Sequence, residues 1–244
     1  MPIVARICAF THRGRVRAGN EDTLVVGDWV SPPEMREPRT FRHALAVPLV
    51  CAVADGLGGH LAGEVASRHA AQQLAAAGAR LASVDGVQES LRRIDGELYD
   101  AMTQDPACAG MGTTVAGLVL GERLIWFNVG DSRLYRFRAG ALAQVSVDDT
   151  PLGPRSGLIT QSLGGALPPQ PVRSHIGEEP LAAPARFLLC SDGLTDMLDD
   201  GDIADCLALP DAEAVAQLFH RAMRAGGADN VSVVVVSVEE GTSQ

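Results

Sequence analysis

The chain predicts an α+β fold: a four-layer α-β-β-α sandwich, with two antiparallel β-sheets packed face to face and helix pairs outside. Three observations carry this. The elements come in blocks: strands, two helices, a run of strands, two helices and a closing strand, which is not the alternation of a parallel sheet. The middle strands follow one another across glycine turns at Gly121 and Gly140, as a meander does. Hydrophobic residues make up 46% of the 244 residues, enough for an extended core, and aromatics at 4% make that core aliphatic.

In order, residues 3–10 predict a first strand, 11–19 a basic glycine-containing loop, and 23–26 a second strand. Residues 31–40 hold three prolines and mixed charges and read as a surface loop. The apolar run 44–54 predicts one long buried strand. An Ala-rich pattern over 61–82, with Val65, His69, Leu74 and Leu81 near helical spacing, predicts a helix. Residues 87–102 predict a second, antiparallel helix with Leu91, Ile94, Leu98 and Met102 on one face, and 83–86 form the turn. Strands are expected at 113–120, 123–129, 133–138 and 142–145. Residues 148–171, rich in Pro, Gly, Ser and Thr, read as a long mobile loop. A buried strand at 186–190 precedes helices at 199–207 and 211–225, the latter turning Val215, Leu218, Phe219 and Met223 inward. A strand at 231–238 closes the chain. No linker interrupts the pattern, so one domain over 1–244 is expected.

The charge is acidic, 30 Asp+Glu against 20 Lys+Arg. That argues against non-specific nucleic-acid binding and against attraction to anionic membranes. It leaves room for an anionic substrate held through cations. The apolar runs are strand length or interrupted by charge, so no membrane span is expected, and the first ten residues lack a signal-peptide pattern. Five cysteines (Cys8, Cys51, Cys108, Cys190, Cys206) are scattered without a Cys-x-x-Cys pair. They read as buried thiols of a cytoplasmic protein.

Acidic residues recur where strands begin or end, flanked by Gly or Asn: Glu21-Asp22, Asp55-Gly56, Asp131, Asp192 and Asp229-Asn230. Any one suits a turn. Carboxylates brought together repel, and cations relieve that repulsion. Oxygen ligands without His or Cys point to Mg²⁺ or Mn²⁺ rather than zinc.

The motifs are Arg17-Ala18-Gly19-Asn20-Glu21-Asp22, Asp55-Gly56-Leu57-Gly58-Gly59-His60, Gly112-Thr113-Thr114, Asn128-Val129-Gly130-Asp131-Ser132-Arg133, Ser191-Asp192-Gly193-Leu194 and Gly227-Ala228-Asp229-Asn230-Val231-Ser232. In this order they resemble the PP2C family of metal-dependent protein serine/threonine phosphatases, in its short bacterial form, over nearly the whole chain. The resemblance implies the PP2C-like sandwich and hydrolysis of phosphoserine and phosphothreonine by a water bridging two Mn²⁺ or Mg²⁺ ions about 3.5–4 Å apart. It implies that Asp55 bridges the ions, that the Gly56 carbonyl serves one and that Asp192 and Asp229 bind the other. Glu21 and Asp22 would hold metal-bound water, and Asp131 with Asp192 a weaker third ion. Asn230 would orient the ligands and Arg17 would bind the substrate phosphate. Phosphorylated proteins, a partner Ser/Thr kinase or its targets among them, are the implied partners of a monomer. Regulation of type VI secretion is one such setting.

Two departures stand out. Leu57 replaces the His that eukaryotic members use as general acid, and His60 reads as structural. The segment 148–171 reads as a shortened flap, leaving an open cleft. A pseudophosphatase acting as a binding module is the alternative.

Overall fold

The computed structural model describes residues 3–58, 62–151, 158–166 and 168–241. The chain begins with strands β1 (Ile3–His12), β2 (Asp22–Val26), β3 (Trp29–Val30), β4 (Arg39–Ala44) and β5 (Leu49–Leu57), then helices α1 (Ala62–Ala77) and α2 (Val84–Gln104). Strands β6 (Gly112–Thr113), β7 (Val115–Leu120), β8 (Arg123–Val129), β9 (Arg133–Arg138), β10 (Ala141–Gln144), β11 (Leu163–Gly164), β12 (His175–Pro180) and β13 (Ala185–Cys190) follow. Helices α3 (Asp192–Thr195), α4 (Asp200–Leu207) and α5 (Asp211–Arg224) lead to β14 (Val231–Glu240).

One sheet has six strands in the order β10-β9-β13-β14-β1-β4. The other has eight, running β11-β6-β5-β7-β8-β12 with β2 and β3 added beside β5. All pairings are antiparallel. Three apolar clusters fill the three gaps of the four-layer sandwich. One lies between α1, α2 and the eight-stranded sheet, one between the sheets, and one under α4 and α5. Side chains alternate along a strand, so each central strand feeds two clusters. On β5, Val50 and Ala52 face the helices while Cys51 and Val53 face the other sheet. On β14, Val233 and Val235 face α5 while Val234 and Val236 face inward. Both faces are covered, which is why these strands read as unbroken hydrophobic runs.

Several boundaries differ from the sequence reading. The expected strand 44–54 is two strands: β4 ends at Ala44 and β5 starts at Leu49. Pro48 lies in the connection, where it need not donate to a ladder. Asp55, Gly56 and Leu57 belong to β5 rather than to a loop after it. The expected helix 61–82 ends at Ala77, because Gly78 has φ +53° and a 3₁₀ turn follows. Its first residue, Leu61, lies outside the described residues, as does His60. Val65 is 46% exposed; the buried stripe is Ala62, Ala66, Ala70, Leu74 and Ala77. The expected turn 83–86 is the start of α2, capped by Ser83, whose hydroxyl accepts from Gly86 N–H at 3.1 Å. The loop 148–171 contains β11, paired with β6, while 152–157 and 167 lie outside the described residues. No helix among the described residues is long and apolar enough to cross a membrane.

Candidate metal centre

The predicted acidic residues collect at one end of both sheets. Asp22 opens β2 and is the direct cross-strand partner of Asp55 on β5. Asp131 follows β8 at the Gly130 turn, Asp192 is the first residue of α3 after β13, and Asp229 precedes β14. Both sheets therefore contribute. Arg17, Glu21, Asp55, Gly56, Asp131, Asp192, Asp229 and Asn230 line one cleft of about 260 Å³. Asp22 does not line it; at 2% exposure it lies buried.

Close backbone approach seats the rim. A Cβ on Gly56 would lie 2.2 Å from the Gly63 carbonyl oxygen, and one on Gly63 would lie 2.1 Å from Glu21 Oε2. These two glycines let α1 settle on β5 and let the Glu21 side chain lie against the helix. The Gly56 N–H donates to the Glu21 carbonyl at 3.1 Å, and Ser67 Oγ donates to the same carbonyl at 2.5 Å. The Asp55 carbonyl accepts from Thr114 N–H and from Thr113 Oγ1, each at 2.9 Å. The threonines thus brace β5.

Asn230 ties the ends of the chain together. Its Oδ1 accepts from Glu21 N–H at 2.8 Å, and its Nδ2 donates to the Arg13 and Gly19 carbonyls at 3.1 and 2.9 Å. Arg17 Nη2 donates to Asp229 Oδ2 at 2.5 Å. Nearby, His12 and Arg13 each lie 3.6 Å from Glu34.

Burial dominates the electrostatics. It pushes Asp192 up to about 7, with Asp131 and Asp229 adding repulsion. It pushes Asp131 up to about 6. Asp22 also rises to about 6, although the Ser191 hydroxyl donates to its Oδ2 at 2.8 Å. Asp55 is raised well above the carboxylate range by burial and then by Asp22, Asp192, Asp131 and Asp229. Glu21 is raised by burial while Arg17 pulls it back.

No three His, Cys, Asp or Glu side chains among the described residues form a preset ion cage. The donor set nevertheless fits hard cations. Among the described residues, the charged groups lining the cleft are Arg17 and carboxylates, with no His or Cys. Asp22 Oδ1 is buried without a hydrogen-bond partner among the described residues. The raised carboxylates describe negative charge that a cation would relieve. Asp55, Gly56, Asp192 and Asp229, with Glu21, Asp22 and Asp131, are the residues that could hold it.

Some neighbours are not marked by the sequence motifs. Ile159 lines the cleft beside Gly58 and Thr114 of those motifs. Asp149 holds the Asp131 turn: its Oδ2 accepts from Gly130 N–H and from Gln161 Nε2, and its Oδ1 lies by His175 Nε2, each at 2.8 Å. An acidic residue in a loop carries no signal of its own, and its partners are distant in sequence. Arg133, the last residue of the Asp131 motif, forks onto Asp148, with Nη2 at 2.7 Å and Nε at 3.0 Å from Oδ2.

Fold and cleft define a class: an α-β-β-α sandwich with an acidic cleft at one end of its sheets, lined by carboxylates and Arg17. A family model described as protein phosphatase 2C matches residues 40–235, and the chain belongs to that family. The serine/threonine protein phosphatase PstP of Mycobacterium tuberculosis is 34% identical over 260 residues, covering 97% of this chain and 45% of that protein. The chain thus spans about half the length of that relative. The protein phosphatase PhpP of Streptococcus pneumoniae is 32% identical over 77% of this chain and 85% of its own. The crystal structure of the PstP catalytic domain with two manganese ions has a TM-score of 0.80 at 32% identity, over 98% of this chain and 100% of that one. PppA, a key regulatory component of the type VI secretion system in Pseudomonas aeruginosa, has a TM-score of 0.77 at 27% identity, over 97% and 99%.

Proposed function

We propose that the chain is a metal-dependent phosphoprotein phosphatase that hydrolyses phosphoserine and phosphothreonine monoesters by direct attack of water. The observation that carries this is one cleft in which a guanidinium, Arg17, stands over Glu21, Asp55, Asp131, Asp192 and Asp229. Two bound Mn²⁺ or Mg²⁺ ions, with a weaker third, would supply Lewis acidity and a water acidic enough to ionise near neutral pH.

The chain's own residues do the rest. Asp55, Gly56, Asp192 and Asp229 present oxygens for the ions. Glu21 and Asp22 stand beside them, Asp131 serves the third site with Asp192, and Asn230 keeps Glu21 and Asp229 in register. Arg17 is on an exposed loop and can trade Asp229 for a phosphoryl group, pairing two of its oxygens. Leu57, on the cleft wall, offers no proton to the leaving alkoxide; a water held by the ions would be the donor. No thiol is needed: burial pushes Cys51 and Cys190 up to about 12.

PhpP and PstP are named as protein phosphatases, which supports reading this chain as one that opposes a Ser/Thr kinase. The likeness to PppA supports a setting in type VI secretion. A monomeric cytoplasmic domain spanning 1–244, with a short flap and open cleft, completes the reading. A pseudophosphatase would need a vacated acidic position, and each one that the family motifs require is filled. The test is release of phosphate from a phosphothreonine peptide during Mn²⁺ titration, with Asp192→Ala as control. Activity that survives a strong chelator, or that Asp192→Ala retains, overturns the proposal.

A further inference from the structure

The outer edge of the six-stranded sheet is β4. Its register with β1 sets Arg42 opposite Arg6, Phe41 opposite Ile7 and Arg39 opposite Ala9. Just past the strand, Leu45 N–H donates to the Ile3 carbonyl at 3.0 Å. In an antiparallel ladder, mutually bonded pairs alternate with non-bonded ones. The bonded pairs are then Ala5–His43, Ile7–Phe41 and Ala9–Arg39. Thr40 and Arg42 therefore turn their N–H and C=O outward. Neither group has a partner among the described residues.

The edge is also basic on an acidic chain of net charge -10. Arg6 is compensated by Glu239 at 2.8 Å and Asp211 at 3.4 Å. Arg42 has no ion pair among the described residues, and like charges directly opposite destabilise a pair. Arg39 stacks over Trp29 and Phe41 at 5.1 and 5.2 Å, which fixes its stem beside the edge. A groove of about 460 Å³ runs alongside, lined by Arg6, Thr40, Phe41, Arg42 and Asp211 among others.

Charged side chains on an edge strand ordinarily prevent unwanted pairing. Here they exclude a second copy of β4, which would set arginine-bearing strands together. They do not exclude a strand that carries acids. A nucleic acid could use the charge but not the paired N–H and C=O groups. The edge also starts at the cleft end of the sheet. Arg39 faces Ala9, three residues or about 10 Å from His12, whose partner Val231 adjoins Asn230.

We propose that β4 is a docking edge for an extended acidic segment of a phosphoprotein substrate, added to the sheet as a further strand with an acidic side chain set against Arg42. The occupant's role as substrate rests on the phosphatase reading; the binding itself does not.

The probe is a fluorescein-labelled octapeptide alternating Glu and Val, followed by anisotropy with the full chain. Saturable binding is expected. Arg42→Glu is expected to weaken it at least tenfold. Thr40→Pro, which removes an outward N–H at an edge position that tolerates proline, is expected to weaken it similarly with the charge intact. The same peptide N-methylated at alternate residues is expected not to bind. Equal affinity for Arg42→Glu, for the N-methylated peptide or for a poly-dT oligonucleotide overturns the proposal, as does no binding at millimolar peptide. Hydrolysis of p-nitrophenyl phosphate with Mn²⁺ is expected to stay within twofold of wild type in Arg42→Glu. Its absence in the wild type would remove the phosphatase reading and leave the anisotropy result standing.

Discussion

Arg17 Nη2 lies 2.5 Å from Asp229 Oδ2, so the one guanidinium that lines the cleft among the described residues is held by a carboxylate that the metal reading also needs. The pair is exposed on the arginine side and half-buried on the aspartate side. Arg17 thereby neutralises part of the acidic cluster and stands at the mouth, where a phosphate would enter.

Removing that guanidinium separates its two roles. Hydrogen bonds to charged groups contribute about 1.5–3 kcal/mol, so Arg17→Ala is expected to lower kcat/KM for a phosphopeptide by about 10- to 100-fold. Mn²⁺ affinity is expected to hold or rise, because Asp229 is released. Steady-state kinetics beside Mn²⁺ calorimetry checks both; a variant that loses metal but keeps KM contradicts the assignment.

The acidic cluster fixes a pH dependence for the metal-free chain. Folded-state values of about 7 for Asp192 and about 6 for Asp131 and Asp22 exceed those of unfolded aspartate. The folded chain then binds extra protons, so this contribution to stability is present at low pH and is lost as pH rises through 6 and 7. In chelator, the melting temperature is expected to fall between pH 5.5 and pH 8. With saturating Mn²⁺ the trend should flatten or reverse. A rise with pH in chelator would contradict the electrostatic picture.

Asn230 is a clamp rather than a ligand in this structure. Asn230→Ala leaves Glu21 N–H and the Arg13 and Gly19 carbonyls without their partner. The expected cost is about 2–3 kcal/mol. Hydrogen exchange should quicken over residues 13–21 more than in α5. Uniform destabilisation without that local signature would count against the clamp.

The thiols give a negative control. Burial pushes Cys8 up to about 11 and Cys51 and Cys190 up to about 12, and Cys206 is buried too. Iodoacetamide at pH 8 is expected to label Cys108 alone in the folded chain and to leave phosphate release unchanged. Inactivation by alkylation would point to a thiol mechanism.

The sequence shows the central strands because β5, β7 and β14 are covered on both faces and therefore spell out largely apolar runs; β1 does the same apart from exposed Arg6. It hides β12, whose His-Ile-Gly-Glu-Glu-Pro carries little apolar signal; among the described residues it pairs with β8 alone and exposes Glu178 and Pro180. It hides the break before Leu49 because the residues of that turn are themselves apolar, Pro48 being the one signal. At the site, the acidic positions were legible since each carries a glycine or asparagine neighbour in a family motif. Contacts made across the fold were not. Nothing local in the chain says that Ser191 donates to Asp22 169 residues away, or that Asp149 holds Gly130 and His175 together.

The central claim is that the carboxylates around Asp55 hold divalent cations. Calorimetric titration of Mn²⁺ into the chelator-stripped chain tests it most directly, with Asp55→Asn beside the wild type. Two tight sites are expected in the wild type, and loss of both in the variant, since Asp55 faces Asp22 and is repelled by Asp192, Asp131 and Asp229. No heat of binding in the wild type, or an unchanged isotherm in Asp55→Asn, would contradict it.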